Sequence, residues 1–326
     1  MNTNFHTLWG NDVAERDSER DIIYVEYRQK WHSCPENQFV TDFPLFLDLE
    51  ATSYCNLKCS HCLHAQPDFC KMKMGYMLWE MYTSIIDEAS ANGCYGCKYH
   101  TIGRGEPLLN RHLPGMISYA KKKGLIDVAL NTNATLLTEE KAKAILDAGL
   151  DRISFSVDGL HQTYERVRRG SSWPIIAENI MNFIELRDAG YKTKIRVQTV
   201  RLPEVDLDDF VIHCRWLFSG IDEIGVVDYK DMSVRRFAEG SWICPQPWQR
   251  MSVLWDGSIL PCNHDDRQYA RLGWFPEMSI KKAWYGSGMR MIRDMQTQGK
   301  SSLVAACNGC FLAQAEIYKM MASDRG

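Results

Sequence analysis

The chain of 326 residues is 45% hydrophobic and 24% charged, with 38 basic against 41 acidic residues and a formal net charge of -3. That balance suits a soluble globular protein with one large domain and a small appendage, and it offers no basic surplus for nucleic acid or an anionic membrane. No apolar run approaches the roughly 18–20 residues that span a bilayer, and the polar start MNTNFHTLWGNDVAERDSERD lacks a signal peptide's apolar stretch, so the expected location is the cytoplasm and the expected substrate small or a peptide.

Residues 1–42 are too short to bury a core of their own and are expected to form a strap or lid. Over residues 43–232, short β-rich runs (LFLDLEAT, KYHTIG, DVALNTN, RISFSVD, KIRVQTV, EIGVVD) alternate with stretches of helical period, the pattern of repeated βα units with parallel strands. Several helical stretches end at a glycine (Gly93, Gly124, Gly149, Gly190, Gly220), and Thr138 followed by Glu140 reads as a helix N-cap with an acidic first turn. Six such units are too few for a closed eight-stranded barrel. The expected fold is therefore α/β, a partial (β/α)6 TIM-like barrel. From 233 to 326 the rhythm changes: RMSVLWDGSILPC reads as a hairpin around a DG turn and SIKKAWYGSGMRMIRDMQTQG as helix, which together form a small C-terminal domain.

Twelve cysteines in a reducing compartment point to metal or redox chemistry rather than disulfides. Cys55, Cys59 and Cys62 crowd into CNLKCSHC on a loop just after the first barrel strand. A cubane iron–sulfur cluster has four irons, so three thiolates would leave one iron open, and an open coordination position is a catalytic one. With His61 or His64 the same three thiols could instead close a tetrahedral zinc site. Cys244, Cys262, Cys307 and Cys310, in the order C…C…CxxC, suit either a zinc ribbon or a complete cluster.

CNLKCSHC resembles the CxxxCxxC signature of the radical S-adenosylmethionine superfamily, and further landmarks follow in order. GRGEP resembles the GGEP motif, although Arg104 departs from its commonest form. The resemblance implies that Gly103 and Gly105 let backbone approach the cofactor and that Glu106 holds its ammonium group. NTNA and SFSVDG resemble ribose-side contacts, which assigns Asn131, Asn133, Ser156 and Asp158. By the same resemblance Arg168 pairs with the cofactor carboxylate, and Gln198 stands at a fifth strand end. The implied cofactors are S-adenosylmethionine and a [4Fe-4S] cluster on Cys55, Cys59 and Cys62. The late cysteines and the phrase DGSILPC resemble the Twitch extension, a short SPASM form, which implies one auxiliary [4Fe-4S] cluster on Cys244, Cys262, Cys307 and Cys310.

The resemblance leaves the reaction open. One reading is oxidation of an alcohol carbon in a sugar- or aminocyclitol-like substrate, with the auxiliary cluster taking the electron. Another is epimerisation with a cysteine, Cys70 or Cys34, returning a hydrogen atom. A third is modification of a ribosomal peptide, against which the stretch before the barrel is short for a leader-recognition domain. An electron carrier would need no open iron. Arg235, Arg236, Trp242, Trp248 and Trp274 would suit a sugar-like ligand, and a flavodoxin- or ferredoxin-type protein is the expected reductant. Cys94 and Cys97 are expected to precede the second strand on the face away from the chemistry, and Cys214 to be a buried apolar residue.

Overall fold

The computed structural model describes residues 5–11, 22–69, 72–99, 105–229, 242–310 and 312–313. Its centre is the expected parallel array: β2 (Phe46–Leu49), β3 (Gly96–Lys98), β4 (Asp127–Thr132), β5 (Arg152–Ser156), β6 (Lys194–Val200) and β7 (Glu223–Val227), each paired to the next in register. Ahead of them lie β1 (Phe5–Gly10) and α1 (Ile22–Glu36); α2 (Trp79–Ala91), α3 (Leu113–Lys122), α4 (Glu139–Asp147), α5 (His161–Val167), α6 (Trp173–Asp188) and α7 (Leu207–Leu217) form the connections. Thr138 caps α4 by accepting from the Lys141 N–H, as its sequence predicts. The five expected helix-ending glycines all have positive φ, a conformation in which a Cβ would be strained.

Alternation along the strands separates two environments. Outward-facing Leu47, Val128, Leu130, Ile153, Phe155, Ile195, Val197 and Ile224 are at most 0% exposed and pack under the helices. Burying a residue such as Phe155 contributes about 2–3 kcal/mol. The other face is charged toward the amino ends of the strands. There Asp48 pairs with Lys98 and Arg250, both at 3.3 Å, Asp127 with Arg152 at 2.7 Å, and Glu223 with Arg196 at 2.6 Å. Removing one member of such a buried pair costs about 3–5 kcal/mol, because the other is left uncompensated.

Three expectations need correction. The described second strand is Gly96–Lys98, which starts two residues before the KYHTIG stretch, and residues 100–103 of that stretch lie outside the described set. Cys97 is therefore inside the strand, buried on its helix-covered face, rather than before it. The initial segment is also more than a strap. β1 adds an antiparallel strand to β7, and α1 crosses the amino ends of the barrel strands, with Tyr27 stacked on Tyr95 at 4.9 Å and Trp31 edge-on to Phe46 at 6.1 Å.

After α8 (Gln246–Gln249), β8 (Arg250–Val253) runs parallel to β2, and β9 (Ser258–Leu260) and β10 (Gly273–Trp274) continue antiparallel. Among the described residues the sheet has ten strands in the order β1-β7-β6-β5-β4-β3-β2-β8-β9-β10. The C-terminal hairpin is thus a continuation of the barrel sheet, and the boundary expected at 232/233 lies outside the described residues. α9 (Ile280–Trp284) and α10 (Ser287–Thr297) break at Gly286 and pack behind it. Among the described residues no helix is long and apolar enough to cross a membrane.

Candidate functional site

The carboxyl end of β2 leads into the loop that carries Cys55, Cys59 and Cys62, and the loop is held from three sides. Glu106 N–H donates to Tyr54 O at 2.7 Å, and Asn56 donates to Thr135 Oγ1 at 2.7 Å while accepting from Asn133 Nδ2 at 3.0 Å. On the third side Ser60 N–H donates to Val167 O at 2.9 Å and Lys58 N–H to Arg169 O at 3.0 Å. Gly105, at φ +68°, approaches so closely that a Cβ there would lie 1.8 Å from Thr52 O, so the backbone contact implied for this position is made to the chain itself. Gly103 and Arg104 lie outside the described residues.

Glu106 is buried and accepts from Thr132 Oγ1 at 2.7 Å and Leu108 N–H at 3.1 Å through Oε1, and from Asn133 N–H at 2.8 Å through Oε2. Burial pushes its carboxyl up, opposed by these donors. Each carboxylate oxygen has two acceptor sites, so Oε2 keeps capacity for a further donor. Asp158, fully buried, accepts from Val200 N–H at 2.8 Å, pairs with Arg168 at 2.8 Å and stands 3.3 Å from His61 Nε2. The sequence names Asp158, Arg168 and Asn133 as cofactor contacts, whereas here Arg168 pairs with Asp158 beside His61, and Asn133 joins the clamp with Asn56 and Thr135, partners that carry no sequence signature.

Asn131, Ser156 and Gln198 are half-buried on the inward face of β4, β5 and β6, with Ser156 and Gln198 in register. They line the barrel beyond the ion-paired layer. Asn133 faces Asn56 instead, as part of the clamp. Cys34 is not brought to this end. It lies buried on α1, the helix that crosses the amino ends of the strands, which removes the geometric basis for its role as a hydrogen donor. Cys70, Arg235 and Arg236 lie outside the described residues. Of the tryptophans, Trp242 is half-buried, Trp248 is a core residue at 1% exposure, and Trp274 is exposed beside Arg271, 4.6 Å from its ring.

The donor set fits an iron–sulfur cluster. Burial pushes the Cys55 thiol up to about 12 and Cys59 to about 11, and raises Cys62, so a cationic centre is what would make the three thiolates favourable at neutral pH. Three buried polar atoms of this network, Arg168 Nε, His61 Nδ1 and Asp158 Oδ2, have no hydrogen-bond partner among the described residues, although Asp158 Oδ2 is ion-paired with Arg168. Among the described residues no three His, Cys, Asp or Glu side chains stand together as a group that could hold a metal ion.

The late cysteines come together from three segments. Burial first, and then the neighbouring thiols of the group, raise the thiol pKa values of Cys244, Cys262 and Cys307, with Cys310 among the neighbours that act on Cys244, Cys262 and Cys307. Gln296 bridges them: its Oε1 accepts from Cys244 N–H at 3.1 Å and its Nε2 donates to Cys307 Sγ at 3.4 Å. Arg267, just past Cys262, donates to Gln66 Oε1 at 3.2 Å, just past Cys62. The two thiol groups are therefore joined by a direct contact between the segments that follow them.

Two family profiles match the chain in order, the Radical SAM superfamily over residues 49–217 and the SPASM iron-sulfur cluster-binding domain over residues 244–311. A probable GTP 3',8-cyclase of Methanococcus maripaludis is 32% identical over 142 residues, covering 42% of this chain and 45% of the relative. The tungsten-containing aldehyde ferredoxin oxidoreductase cofactor-modifying protein of Pyrococcus furiosus is 30% identical over 225 residues, covering 66% and 56%. The chain spans about half the length of these curated relatives. Among solved structures, BtrN in complex with AdoMet and 2-DOIA superposes with a TM-score of 0.58 at 17% identity, over 82% of this chain and 93% of that one. Streptococcus suis SuiB bound to S-adenosylmethionine does so at 0.62 and 16%, over 88% and 76%. These two share the fold. With both profiles matched and a cysteine loop of the fitting chemistry at the carboxyl end of the first barrel strand, the protein belongs to the Radical SAM superfamily, with S-adenosylmethionine and [4Fe-4S] clusters as its cofactors.

Proposed function

We propose that the protein oxidises an alcohol carbon of a small, hydroxyl-rich substrate of sugar or aminocyclitol type, with Cys55, Cys59 and Cys62 holding the radical-generating cluster and Cys244, Cys262, Cys307 and Cys310 an auxiliary one that takes the electron. When bound, the first cluster and S-adenosylmethionine supply a 5′-deoxyadenosyl radical, fed by an external flavodoxin- or ferredoxin-type reductant in the cytoplasm. Overall the alcohol carbon gives up one hydrogen atom, one proton and one electron to become a carbonyl. The observation that carries this reading is the Arg267–Gln66 contact at 3.2 Å, which joins the segment after Cys262 to the segment after Cys62.

The chain's residues support it further. Asn131, Ser156 and Gln198 offer neutral donors and acceptors on the inward face. The inward cations Lys98, Arg152, Arg196 and Arg250 each have an acidic partner, an arrangement ill suited to a triphosphate such as the GTP in the relatives' name. A fold neighbour holds AdoMet with 2-DOIA. Among the described cysteines outside the two groups, Cys34 and Cys94 sit toward the amino ends of the strands, while Cys97 and Cys214 are in the helix-covered core, so none is placed to return a hydrogen atom. Glu106 Oε2 is assigned the cofactor ammonium group.

The test is a metabolite screen with reduced enzyme and S-adenosylmethionine, following deuterium from C–D substrates into 5′-deoxyadenosine. A carbonyl product without solvent hydrogen at carbon is expected. Product carrying one solvent deuterium, lost in Cys70→Ala, would mark an epimerase and end the oxidation reading; turnover of peptides alone would end the small-substrate one.

A further inference from the structure

Arg168 occupies an unusual place beside the three-thiol loop. The hydrogen bonds Ser60 N–H to Val167 O and Lys58 N–H to Arg169 O, at 2.9 and 3.0 Å, tie the residues on either side of Cys59 to those on either side of Arg168, the C-cap of α5. Its guanidinium is paired at 2.8 Å with Asp158, and the same carboxylate oxygen lies 3.3 Å from the ring of His61, between Cys59 and Cys62. Asp158 is itself fixed by the Val200 N–H at 2.8 Å. Arg168 is only 8% exposed, and its Nε has no hydrogen-bond partner among the described residues. An arginine so placed is a permanent charge, because the guanidinium does not lose its proton in proteins.

We propose that Arg168, anchored by Asp158, sets the reduction potential of the cluster on Cys55, Cys59 and Cys62, by keeping a fixed, buried cation beside the loop that carries its thiolates. This rests on those cysteines holding that cluster. Cluster potentials depend on local charge, hydrogen bonds to sulfur and solvent exposure. A cation favours the reduced state, which carries one more negative charge, and does so more strongly where water is excluded. Asp158 offsets part of the effect while holding the cation in place.

The experiment is a potentiometric titration of the anaerobically reconstituted full chain without S-adenosylmethionine, reading by electron paramagnetic resonance the signal that Cys59→Ala lacks. Arg168→Gln is expected to lower that midpoint by a shift worth about tenfold in the one-electron equilibrium, about 59 mV. Asp158→Asn should raise it, Arg168→Lys should keep it near the wild-type value, and the auxiliary signal should not move. A general structural role would not give opposite signs at the two positions. An unchanged midpoint in Arg168→Gln, with its front iron retained and S-adenosylmethionine bound more weakly, would make Arg168 a cofactor ligand and overturn the inference. Should Arg168→Gln fail to load, Asp158→Asn decides, and a midpoint that stays or falls overturns it equally. Wild type with no front cluster at all would instead overturn the cysteine assignment beneath it.

Discussion

The three-thiol loop and the four-thiol group are held by different means. The loop is short in sequence but is clamped by residues from several βα units: Glu106, Asn133 and Thr135, and the Val167–Arg169 backbone. The late group is spread from Cys244 to Cys310 and meets around one neutral amide, Gln296. A loop that must present an open coordination position cannot rely on a full set of ligands to close it, and needs its rigidity from outside. A set of four thiols can be closed by the cluster itself.

The largest break in this comparison comes from removing a thiol. Cys59→Ala should abolish 5′-deoxyadenosine formation and lower iron from about eight to about four per chain, two cubanes to one. Cys307→Ala should also lose one cubane yet still form 5′-deoxyadenosine, now without product. Iron analysis with chromatography of the nucleoside checks both, and equal loss of 5′-deoxyadenosine in the two variants would erase the distinction.

Next in size is Glu106→Gln, which turns an acceptor of three protein hydrogen bonds into a group with one fewer acceptor oxygen. A loss of about 1–3 kcal/mol is expected in urea unfolding, since a buried donor is left facing a donor. This differs from the simple reading of the GRGEP motif, in which the carboxylate meets only the cofactor.

That difference shows what could be read beforehand. The βα rhythm, the Thr138 cap and the two cysteine groups were legible, because periodicity, capping chemistry and thiol spacing are local properties. The partners of Glu106 and the pairing of Arg168 with Asp158 were not, since they depend on which loops meet after the sheet has formed. β1 looked like part of a strap for a related reason: a segment without a core of its own can take one from a sheet edge. Cys34 was weighed as a donor because its distance from the loop in sequence says nothing of the end of the barrel at which α1 lies.

Smaller effects sharpen the contrast between outside clamping and self-closure. Asn133→Ala removes the link to Asn56 and should cost about 1 kcal/mol, with faster loss of front iron to a chelator while auxiliary iron is unaffected. Gln296→Ala should be milder still for iron retention. Four thiols suffice to hold their cluster, so the expected result is a shifted auxiliary resonance with unchanged iron, because one N–H to sulfur is lost.

The most direct test of the central claim, that the three-thiol loop holds the open cluster and the four-thiol group a closed one, is electron paramagnetic resonance of the reduced protein with and without S-adenosylmethionine. The account predicts that adding S-adenosylmethionine changes the signal that is missing in Cys59→Ala and leaves unchanged the one missing in Cys307→Ala. A cofactor-induced change in the second signal, or none in the first, would contradict it.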